Sequence, residues 1–476
     1  MTEPAELNGV KYPAKKHALK VKGHFLSKKT TATAANSAFF IAGTSLVYYE
    51  YCDETIALRQ NRYFHYLTGV DQIPGCFILF TLADDKSTLY LPEIDWEDVM
   101  WSGMPINPKE AAAKFDVDEV KYVSDLKESL QNLKSAGVSI YTPDTKEYSK
   151  EPFADLVTPG DKDLFYALDE ARLIKDSYEI AMMKHANKIT ANSHIAVMSA
   201  QPIEKNETHI HAEFVYHSIR QGSKVQSYSP ICCTGPNCGT LHYVKNDDSM
   251  ADKFSTLIDA GADWGCYASD VTRCFPINGD WTKEHLDIYE TVRDMQKSVM
   301  DAVKPGVSWE SMHMLAHKVL IKHFLKLGLF KDGTPEEILD SKVSVWFFPH
   351  GLGHLLGLDT HDVGGYPDYE DADIYLRWLR LRRKLQAGMV VTDEPGVYFS
   401  DYLIDLAYKD PKQAKYIDRE VVKKYMYVGG VRIEDDLLIT KDGYENLTVV
   451  TSDPDEISKI VKKGLARGRE GFHVVV

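Results

Sequence analysis

Three histidines, His350, His354 and His361, fall within one glycine-rich stretch, FFPHGLGHLLGLDTHDVGGYP, at residues 347–367. The first two have the four-residue spacing by which a pair of histidines on one helix binds zinc in HExxH proteases. That interpretation fails because two glycines separate them and no glutamate follows His350. Each glycine weakens a helix by about 1 kcal/mol. If one of these histidines binds a metal, its partners must come from elsewhere in the chain.

Two aspartates are candidate partners. The stretch TLIDAGADWGCYASDVTRCF, residues 256–275, has β-type runs on both sides of DWG, a pattern typical of a hairpin. With Trp264 and Gly265 as the turn, Asp259 and Asp270 lie directly opposite, with Cβ atoms about 5 Å apart. Such carboxylates repel each other, so a pair of divalent ions about 3.5–4 Å apart would fit between them. The alternative, water-facing turn residues, suits Asp270 poorly because it lies inside a β-type run.

Two glutamates follow late in the chain. The strand-like run MVVTDEPGVYF (389–399) contains Glu394 just before a Pro-Gly pair, and GGVRIEDDLLIT (429–440) carries Glu434. An acid buried alone within a strand is costly, so a cationic partner is again expected. Taken singly, each glutamate could equally lie on a solvated strand edge. With the two aspartates and one histidine, they form a set of four carboxylates and one imidazole.

This ordered set of motifs resembles the metal-binding signature of the prolidase and aminopeptidase P family, with eukaryotic-type prolidase (Xaa-Pro dipeptidase) as the nearest branch. The similarity extends over nearly the whole chain and includes RYFHYLTG (62–69), WSGMP (101–105) and SYSPICCTGPNCGTLHY (227–243). One departure lies in GPNCG, where Pro236 and Cys238 replace the GEN pattern and small residues of relatives. This departure concerns the shape of the pocket and leaves the metal ligands intact.

The resemblance implies a dinuclear metal site with five protein ligands: Asp259, Asp270, His354, Glu394 and Glu434. By the family pattern, Asp270 and Glu434 bridge the ions, Asp259 completes one coordination shell, and His354 and Glu394 complete the other. Because the ligand set is rich in oxygen, it favours hard ions, with Mn²⁺ expected first and Co²⁺ or Zn²⁺ as substitutes. Water held between two such ions loses a proton near neutral pH and can attack the carbonyl group before proline.

The resemblance also implies roles for residues around the metals. Glu394, His361 and His242 are implied as catalytic: the glutamate passes a proton to the departing ring nitrogen, and the histidines stabilise the oxyanion or hold the substrate. Without the resemblance, each histidine would be interpreted as a hydrogen-bonded core residue. The implied substrate-binding residues are His242, His350, His361, Arg380, Arg432, Tyr228 and Trp101. WSG resembles a prolidase segment whose tryptophan, here Trp101, is expected to reach the active site of a neighbouring subunit; the alternative is a core residue.

The predicted function is a dinuclear-metal hydrolase that cleaves the bond before proline in Xaa-Pro dipeptides. A dipeptide ends in a free carboxylate after the proline, so a dipeptidase needs an arginine there. Matching the family pattern LRxLRxxRxLQ places this arginine at Arg380, with Arg432 as second candidate. The alternative is an Xaa-Pro aminopeptidase that acts on longer peptides. Creatinase shares the fold but lacks the ligand set, and non-catalytic binding modules of this fold have lost metal ligands.

Two domains are predicted to position these residues. Residues 1–165 alternate β-rich runs, such as CFILFTL (76–82) and STLYLP (87–92), with helical stretches, which predicts an α/β domain. Asp176 and Glu179 form a capping-box pattern that predicts the start of a long amphipathic helix. By resemblance, a creatinase/prolidase-like α/β domain is followed by a pita-bread metallopeptidase catalytic domain at 166–476, and the assembly is a homodimer.

The composition restricts the possible partners and location. The chain has 476 residues and a formal net charge of −15, which argues against nucleic acid as the main partner. No run approaches eighteen apolar residues and the start does not read as a signal peptide, so no membrane association is expected. Seven scattered cysteines indicate a reducing cytoplasm and core packing. The basic stretch Lys11 to Lys29 is interpreted as a solvated helix face or a docking surface.

Overall fold

The computed structural model describes residues 4–144 and 146–468. These residues divide into two compact units, 4–173 and 174–468. The boundary predicted at 165 falls within the helix Lys162–Leu173, which ends the first unit. That helix packs on the helix Ala14–Lys28, and this contact places it with the first unit.

The first unit is built around one mixed five-stranded sheet in the order β4-β3-β2-β1-β5. Its strands are β1 (Ser37–Ala42), β2 (Phe77–Thr81), β3 (Lys86–Leu91), β4 (Glu119–Tyr122) and β5 (Ser139–Tyr141). Its helices are α1 (Ala14–Lys28), α2 (Arg62–Thr68), α3 (Val99–Ser102), α4 (Pro108–Lys114), α5 (Leu126–Ser135) and α6 (Lys162–Leu173). The β1–β2 and β2–β3 pairs are antiparallel, and β1–β5 and β3–β4 are parallel. The predicted α/β character and the strands at 76–82 and 87–92 are confirmed.

The basic stretch near the start of the chain forms α1. This helix buries Val21 and Phe25 and turns lysines toward acidic side chains of the same unit. Lys22 Nζ lies 2.5 Å from Asp85 Oδ1, and Lys29 Nζ lies 2.7 Å from Asp161 Oδ2. Such partly exposed pairs contribute about 0–1 kcal/mol each. Several of the lysines are therefore engaged in intramolecular ion pairs, which favours the helix-face interpretation over a docking surface.

The second unit consists of small antiparallel sheets surrounded by helices. Its strands are β6 (Ile231–Thr234), β7 (Ser255–Asp259), β8 (Asp263–Trp264), β9 (Tyr267–Ala268), β10 (Thr272–Pro276), β11 (Val390–Asp393), β12 (Gly396–Tyr398), β13 (Gly430–Arg432), β14 (Asp435–Ile439) and β15 (Tyr444–Asn446). Its helices are α7 (Ser177–Ala200), α8 (Glu207–Arg220), α9 (Lys283–Ala302), α10 (Trp309–Leu327), α11 (Pro335–Asp340), α12 (Asp401–Lys409), α13 (Pro411–Ala414), α14 (Arg419–Tyr425) and α15 (Pro454–Arg467). The sheets have the orders β10-β7-β6, β11-β14-β15, β12-β13 and β8-β9.

The long helix α7 begins where the sequence predicts. Asp176 is its N-cap and accepts hydrogen bonds from the backbone N–H groups of Tyr178 and Glu179, while the Glu179 side chain accepts from the Asp176 N–H. This reciprocal pair satisfies backbone donors that a helix start leaves free. The helix then packs against α8, α15 and the β8–β9 hairpin, so it supports the hairpin that lies between Asp259 and Asp270 in the chain.

The cysteines follow the sequence prediction. Six of the seven cysteines are buried, Cys52 is exposed, and none forms a disulfide. Core packing, as predicted, therefore accounts for the six. Across the described residues, no helix is both long enough and apolar enough to cross a bilayer.

Candidate metal centre

The two predicted aspartates lie at one end of the antiparallel β7–β10 pair, but the register differs from the prediction. Asp259 pairs with Thr272, and the connecting hairpin pairs Asp263 with Ala268. The turn residues are therefore Gly265 and Cys266, with φ of +56° and +70°. A two-residue hairpin loop of this type needs positive φ at both central positions. Asp270 consequently lies diagonal to Asp259 on the same face and not directly opposite it.

Tyr228 joins the two aspartates through its hydroxyl group. Its Oη lies 2.5 Å from Asp259 Oδ1 and is also hydrogen-bonded to Asp270 Oδ1. One phenol thus contacts both carboxylates despite the shifted register. Burial raises the pKa of Tyr228 well above its usual range, and the two negative charges raise it further. The residue stays neutral and remains a donor.

Arg432 is the principal cation that contacts Asp259. Its Nη2 lies 2.5 Å from Asp259 Oδ2, its Nη1 donates to the Tyr398 hydroxyl at 2.7 Å, and its Nε donates to Thr272 Oγ1 at 3.1 Å. The guanidinium is buried, and each of its nitrogens has a partner. Arg432 therefore holds Asp259 in place, and few of its N–H groups remain to bind an incoming substrate.

His354 lies on an irregular segment beside β11, which explains the glycines around it. The backbone N–H of His354 donates to Thr392 Oγ1 at 3.0 Å, and its carbonyl accepts from the Thr392 N–H at 2.9 Å. A Cβ atom on Gly353 would lie 2.0 Å from the Thr392 carbonyl oxygen, so only glycine allows this approach. The absence of a helix here agrees with the rejection of the HExxH interpretation.

The His354 ring presents an acceptor to the carboxylates. Its Nδ1 lies 3.0 Å from the Leu355 carbonyl oxygen, which only accepts, so Nδ1 carries the proton. The lone pair of Nε2 then points at Asp270 Oδ2, 3.4 Å away, and at Glu394 Oε1, 3.5 Å away. Acceptors that face one another at these distances require a cation between them.

The two glutamates reach the same point from neighbouring strands. Glu394 follows β11 directly, and its backbone N–H donates to the Leu352 carbonyl at 2.9 Å. Glu434 links β13 to β14, and its Oε2 accepts from Thr272 Oγ1 at 2.6 Å. Ligand atoms of Asp270, His354 and Glu434 all lie within 4.8 Å of one another.

This donor set fits a divalent metal pair. Burial, reinforced by neighbouring carboxylates, raises the pKa of Asp270 and of Glu434 well above the usual range. Burial also raises the pKa of Glu394 to about 7. Divalent cations would neutralise the repulsion that causes these shifts, and carboxylates with one imidazole are ligands that such ions prefer. Asp259, Asp270, His354, Glu394 and Glu434 are therefore the residues that would hold the metals.

The other predicted histidines border this centre. The His361 ring packs edge-on against His354 with centroids 4.5 Å apart, and burial lowers the pKa of His361 to about 3. His350 Nε2 lies 2.8 Å from the Tyr398 hydroxyl, and its pKa is lowered to about 3 by burial. His242 is exposed and is an electrostatic neighbour of both His350 and His361. The three imidazoles are thus neighbours of one another beside the centre.

Arg380 and Trp101 differ in their relation to the centre. Arg380 is half-buried, and its charge acts on His354 and His361. Within the described part of the chain, its guanidinium forms no hydrogen bond or ion pair. Trp101 belongs to the first unit, where it lies on the short helix α3 with 79% of its surface exposed. Its predicted contact with a neighbouring subunit stays a prediction.

Sequence reasoning missed the residues that hold the ligands in place. Thr272 contacts both Glu434 and Arg432, and Tyr398 contacts both His350 and Arg432. Lys175 forms a fully buried ion pair with Asp362, next to His361, with Nζ and Oδ2 2.8 Å apart. Thr272 and Tyr398 stand within or beside the motifs, but only the fold reveals their contacts.

Two family descriptions match this chain. Residues 181–441 match Metallopeptidase family M24, and residues 22–141 match the Aminopeptidase P, N-terminal domain. The first match contains all five candidate metal ligands, and the second lies within the first compact unit.

Individual proteins match over nearly the full length. An uncharacterised peptidase of Saccharomyces cerevisiae is 53% identical, over 99% of this chain and 88% of its own length. A protein of Sordaria macrospora, named as a probable Xaa-Pro aminopeptidase, is 44% identical over 95% of this chain and 97% of its own. A solved substrate complex of an Escherichia coli aminopeptidase P variant has a TM-score of 0.80 at 28% identity, covering 96% of this chain and 100% of its own. These matches confirm the predicted fold class.

Proposed function

Because the chain belongs to metallopeptidase family M24 and carries the N-terminal domain of aminopeptidase P, we propose that it is an Xaa-Pro aminopeptidase. It removes the N-terminal residue from peptides whose second residue is proline. The observation that carries the proposal is the meeting of four carboxylates and His354 Nε2 at one buried point. The names of the similar fungal proteins support this activity more than the dipeptidase activity predicted first.

The family is one of metallopeptidases with a dinuclear divalent metal centre, and we propose Mn²⁺ as the working ion. When bound, the ions polarise the carbonyl group before proline and lower the pKa of a water molecule to near neutrality. Arg432 orients the Asp259 carboxylate through the 2.5 Å contact between its Nη2 and Asp259 Oδ2.

Glu394 has the position of a proton carrier. Its side chain is 16% exposed, against 6% for Asp270, so it is the more accessible of these two ligands. The bond before proline is a tertiary amide, and its nitrogen must gain a proton as it leaves. We assign this transfer to the Glu394 carboxyl group.

The bordering histidines act as neutral donors. At neutral pH, His361 and His350 carry no charge because their pKa values lie near 3. A neutral imidazole can donate one N–H to the carbonyl oxygen as charge develops there. We assign this role to His361, with His242 and His350 holding the substrate beside it.

Dipeptidase activity is the second candidate, and Arg380 is the observation that favours it. Its guanidinium lies near His354 and His361 without an ion-pair partner among the described residues. A free guanidinium binds a carboxylate well, and in a dipeptide that carboxylate follows the proline. Arg432, the other predicted receptor, is already paired with Asp259.

The test is cleavage of Gly-Pro-Ala and Gly-Pro by the Mn²⁺-loaded protein. We expect release of glycine from the tripeptide; cleavage of the dipeptide alone would assign a prolidase instead. Glu434→Ala should lower kcat/KM by more than about a hundredfold. Glu290→Ala, at a partly exposed glutamate on α9, is the matched control. If Mn²⁺ raises the unfolding temperature but neither peptide is cleaved, the metals are structural and the proposal is wrong.

The assembly and location stay predictions. A homodimer would give Trp101 a neighbouring active site to reach, and its 79% exposure in one chain is compatible with that role. Cytoplasmic location rests on the unpaired cysteines alone.

A further inference from the structure

Another buried carboxylate, that of Glu207, lies outside the metal centre at the start of α8. Glu207 is fully buried, and its two oxygens accept five hydrogen bonds. Oε1 accepts from the backbone and hydroxyl of Thr234 and from Asn237 Nδ2, at 2.9, 2.7 and 3.1 Å. Oε2 accepts from the Tyr243 hydroxyl at 2.7 Å and from the Asp248 N–H at 3.0 Å.

The two oxygens of Glu207 serve different parts of the chain. Oε1 binds the end of β6 and the turn that follows it, whereas Oε2 binds residues 243–248. Lys253 Nζ lies 3.6 Å from Oε1 and balances part of the charge. A carboxylate with this many donors holds each of them firmly, since hydrogen bonds to a charged group are about twice as strong as neutral ones.

The segment that Glu207 fastens carries His242. This residue directly precedes Tyr243, and its own side chain is exposed, so core packing does not hold it. The turn before it is fixed from the other side, because the Cys238 carbonyl lies against Gly430, on the strand of Arg432. His242 thus lies in the chain between Asn237 and Tyr243, and both of these residues donate hydrogen bonds to Glu207.

We propose that Glu207 is a positioning residue for the substrate: through Tyr243 and Asp248 it holds the segment 240–248 so that His242 faces His350 and His361. The proposal rests on the proposed function and identifies what orients one of its substrate-binding residues. It also gives a role to the buried carboxylate of Glu207, which is not part of the metal centre.

The first test is Tyr243→Phe, which keeps the ring and removes the hydroxyl that binds Glu207. For Gly-Pro-Ala, we expect KM to rise about tenfold, the factor that one hydrogen bond to a charged group supplies. The kcat and the bound metal should stay within about twofold of wild type. Lys245→Gln is the matched control in the same segment, since Lys245 forms only an exposed pair with Asp247.

The second test is Glu207→Gln with hydrogen exchange as a readout besides activity. The amide nitrogen replaces one acceptor, so backbone exchange across 240–248 should accelerate about tenfold or more. If Glu207 acts through His242, adding Glu207→Gln to His242→Ala should raise KM no further. If Glu207→Gln and His242→Ala raise KM additively, the proposal is wrong. It is also wrong if Tyr243→Phe and Glu207→Gln each accelerate exchange but leave KM unchanged. Failure of the wild type to cleave any Xaa-Pro peptide would overturn the proposed function, and this inference with it.

Discussion

Among single residues, the two arginines near the metal centre differ in what they already bind. Arg432 contacts Asp259, Tyr398 and Thr272 and is buried, whereas Arg380 has no ion-pair or hydrogen-bond partner in the part of the chain that the structure describes. A guanidinium without a partner gains most from an incoming carboxylate. The family pattern named both as receptors, and their contacts distinguish them.

Arg380→Ala should discriminate between substrates by the position of their carboxylate. In Gly-Pro that group directly follows proline, and in Gly-Pro-Ala it lies one residue further away. We expect KM for the dipeptide to rise at least about tenfold, the value of one charge-assisted pair, with less than about a threefold change for the tripeptide. The measurement is the KM for each peptide under Mn²⁺ saturation.

Arg382→Gln is the control for this prediction. Arg382 lies two residues away and is paired with Glu310 and Asp371, so its loss should affect both peptides equally. Equal effects of Arg380→Ala on the two peptides would contradict the role of Arg380 as a carboxylate receptor.

At the scale of elements, backbone conformation decides whether replacing a glycine by alanine stabilises or destabilises the fold. Gly265 forms the β8–β9 turn with φ of +56°, whereas Gly23 lies exposed within α1, and a Cβ atom there would meet nothing within 4 Å. Ala at Gly265 should lower the free energy of unfolding by about 1–2 kcal/mol, because an L-residue is strained in the left-handed region. Ala at Gly23 should raise it by about 0.5–1 kcal/mol, because glycine loses more entropy in a helix.

Urea unfolding of both variants measures the two effects. The glycines lie in different units, so each change should appear in the transition of its own unit. A stabilising Gly265→Ala would mean that the turn does not set the register of the aspartates.

For the molecule as a whole, the sequence predicted local features of the backbone better than it predicted which strand residues pair with each other. The capping box at Asp176, the strands of the first unit and the irregular backbone at His354 are each encoded in a few neighbouring residues. The predicted partner of Asp259 was wrong by two residues, Asp270 in place of Thr272, because the turn lies one residue later, at Gly265 and Cys266. Cys266 tolerates a positive φ there because its backbone N–H donates a hydrogen bond to Asp263 Oδ1 at 2.9 Å. Contacts such as that between Glu207 and Tyr243 join residues far apart in the chain, so no local sequence pattern predicts them.

Both units contain buried neutral histidines, so the whole molecule should lose stability in mild acid. Burial lowers the pKa of His65 and His285 to about 3, and of His194 and His313 to about 4. In the unfolded chain, these groups bind protons near pH 6.5. Between these values the unfolded state holds more protons, so stability rises with pH and falls as pH drops from about 6.5 toward 4.

His285→Leu should remove a defined part of this acid sensitivity. Neither ring nitrogen of His285 has a hydrogen-bond partner among the described residues, and the ring lies 4.7 Å from that of Trp281. At pH 4.5 the wild type should lose about 2–3 kcal/mol through this one group relative to pH 7.5, at 1.36 kcal/mol per pKa unit. Urea unfolding followed by tryptophan fluorescence at both pH values measures the difference between wild type and variant. We expect the wild type to lose about 2–3 kcal/mol more than the variant between pH 7.5 and pH 4.5. Equal losses in the two proteins would show that the fold does not hold His285 neutral.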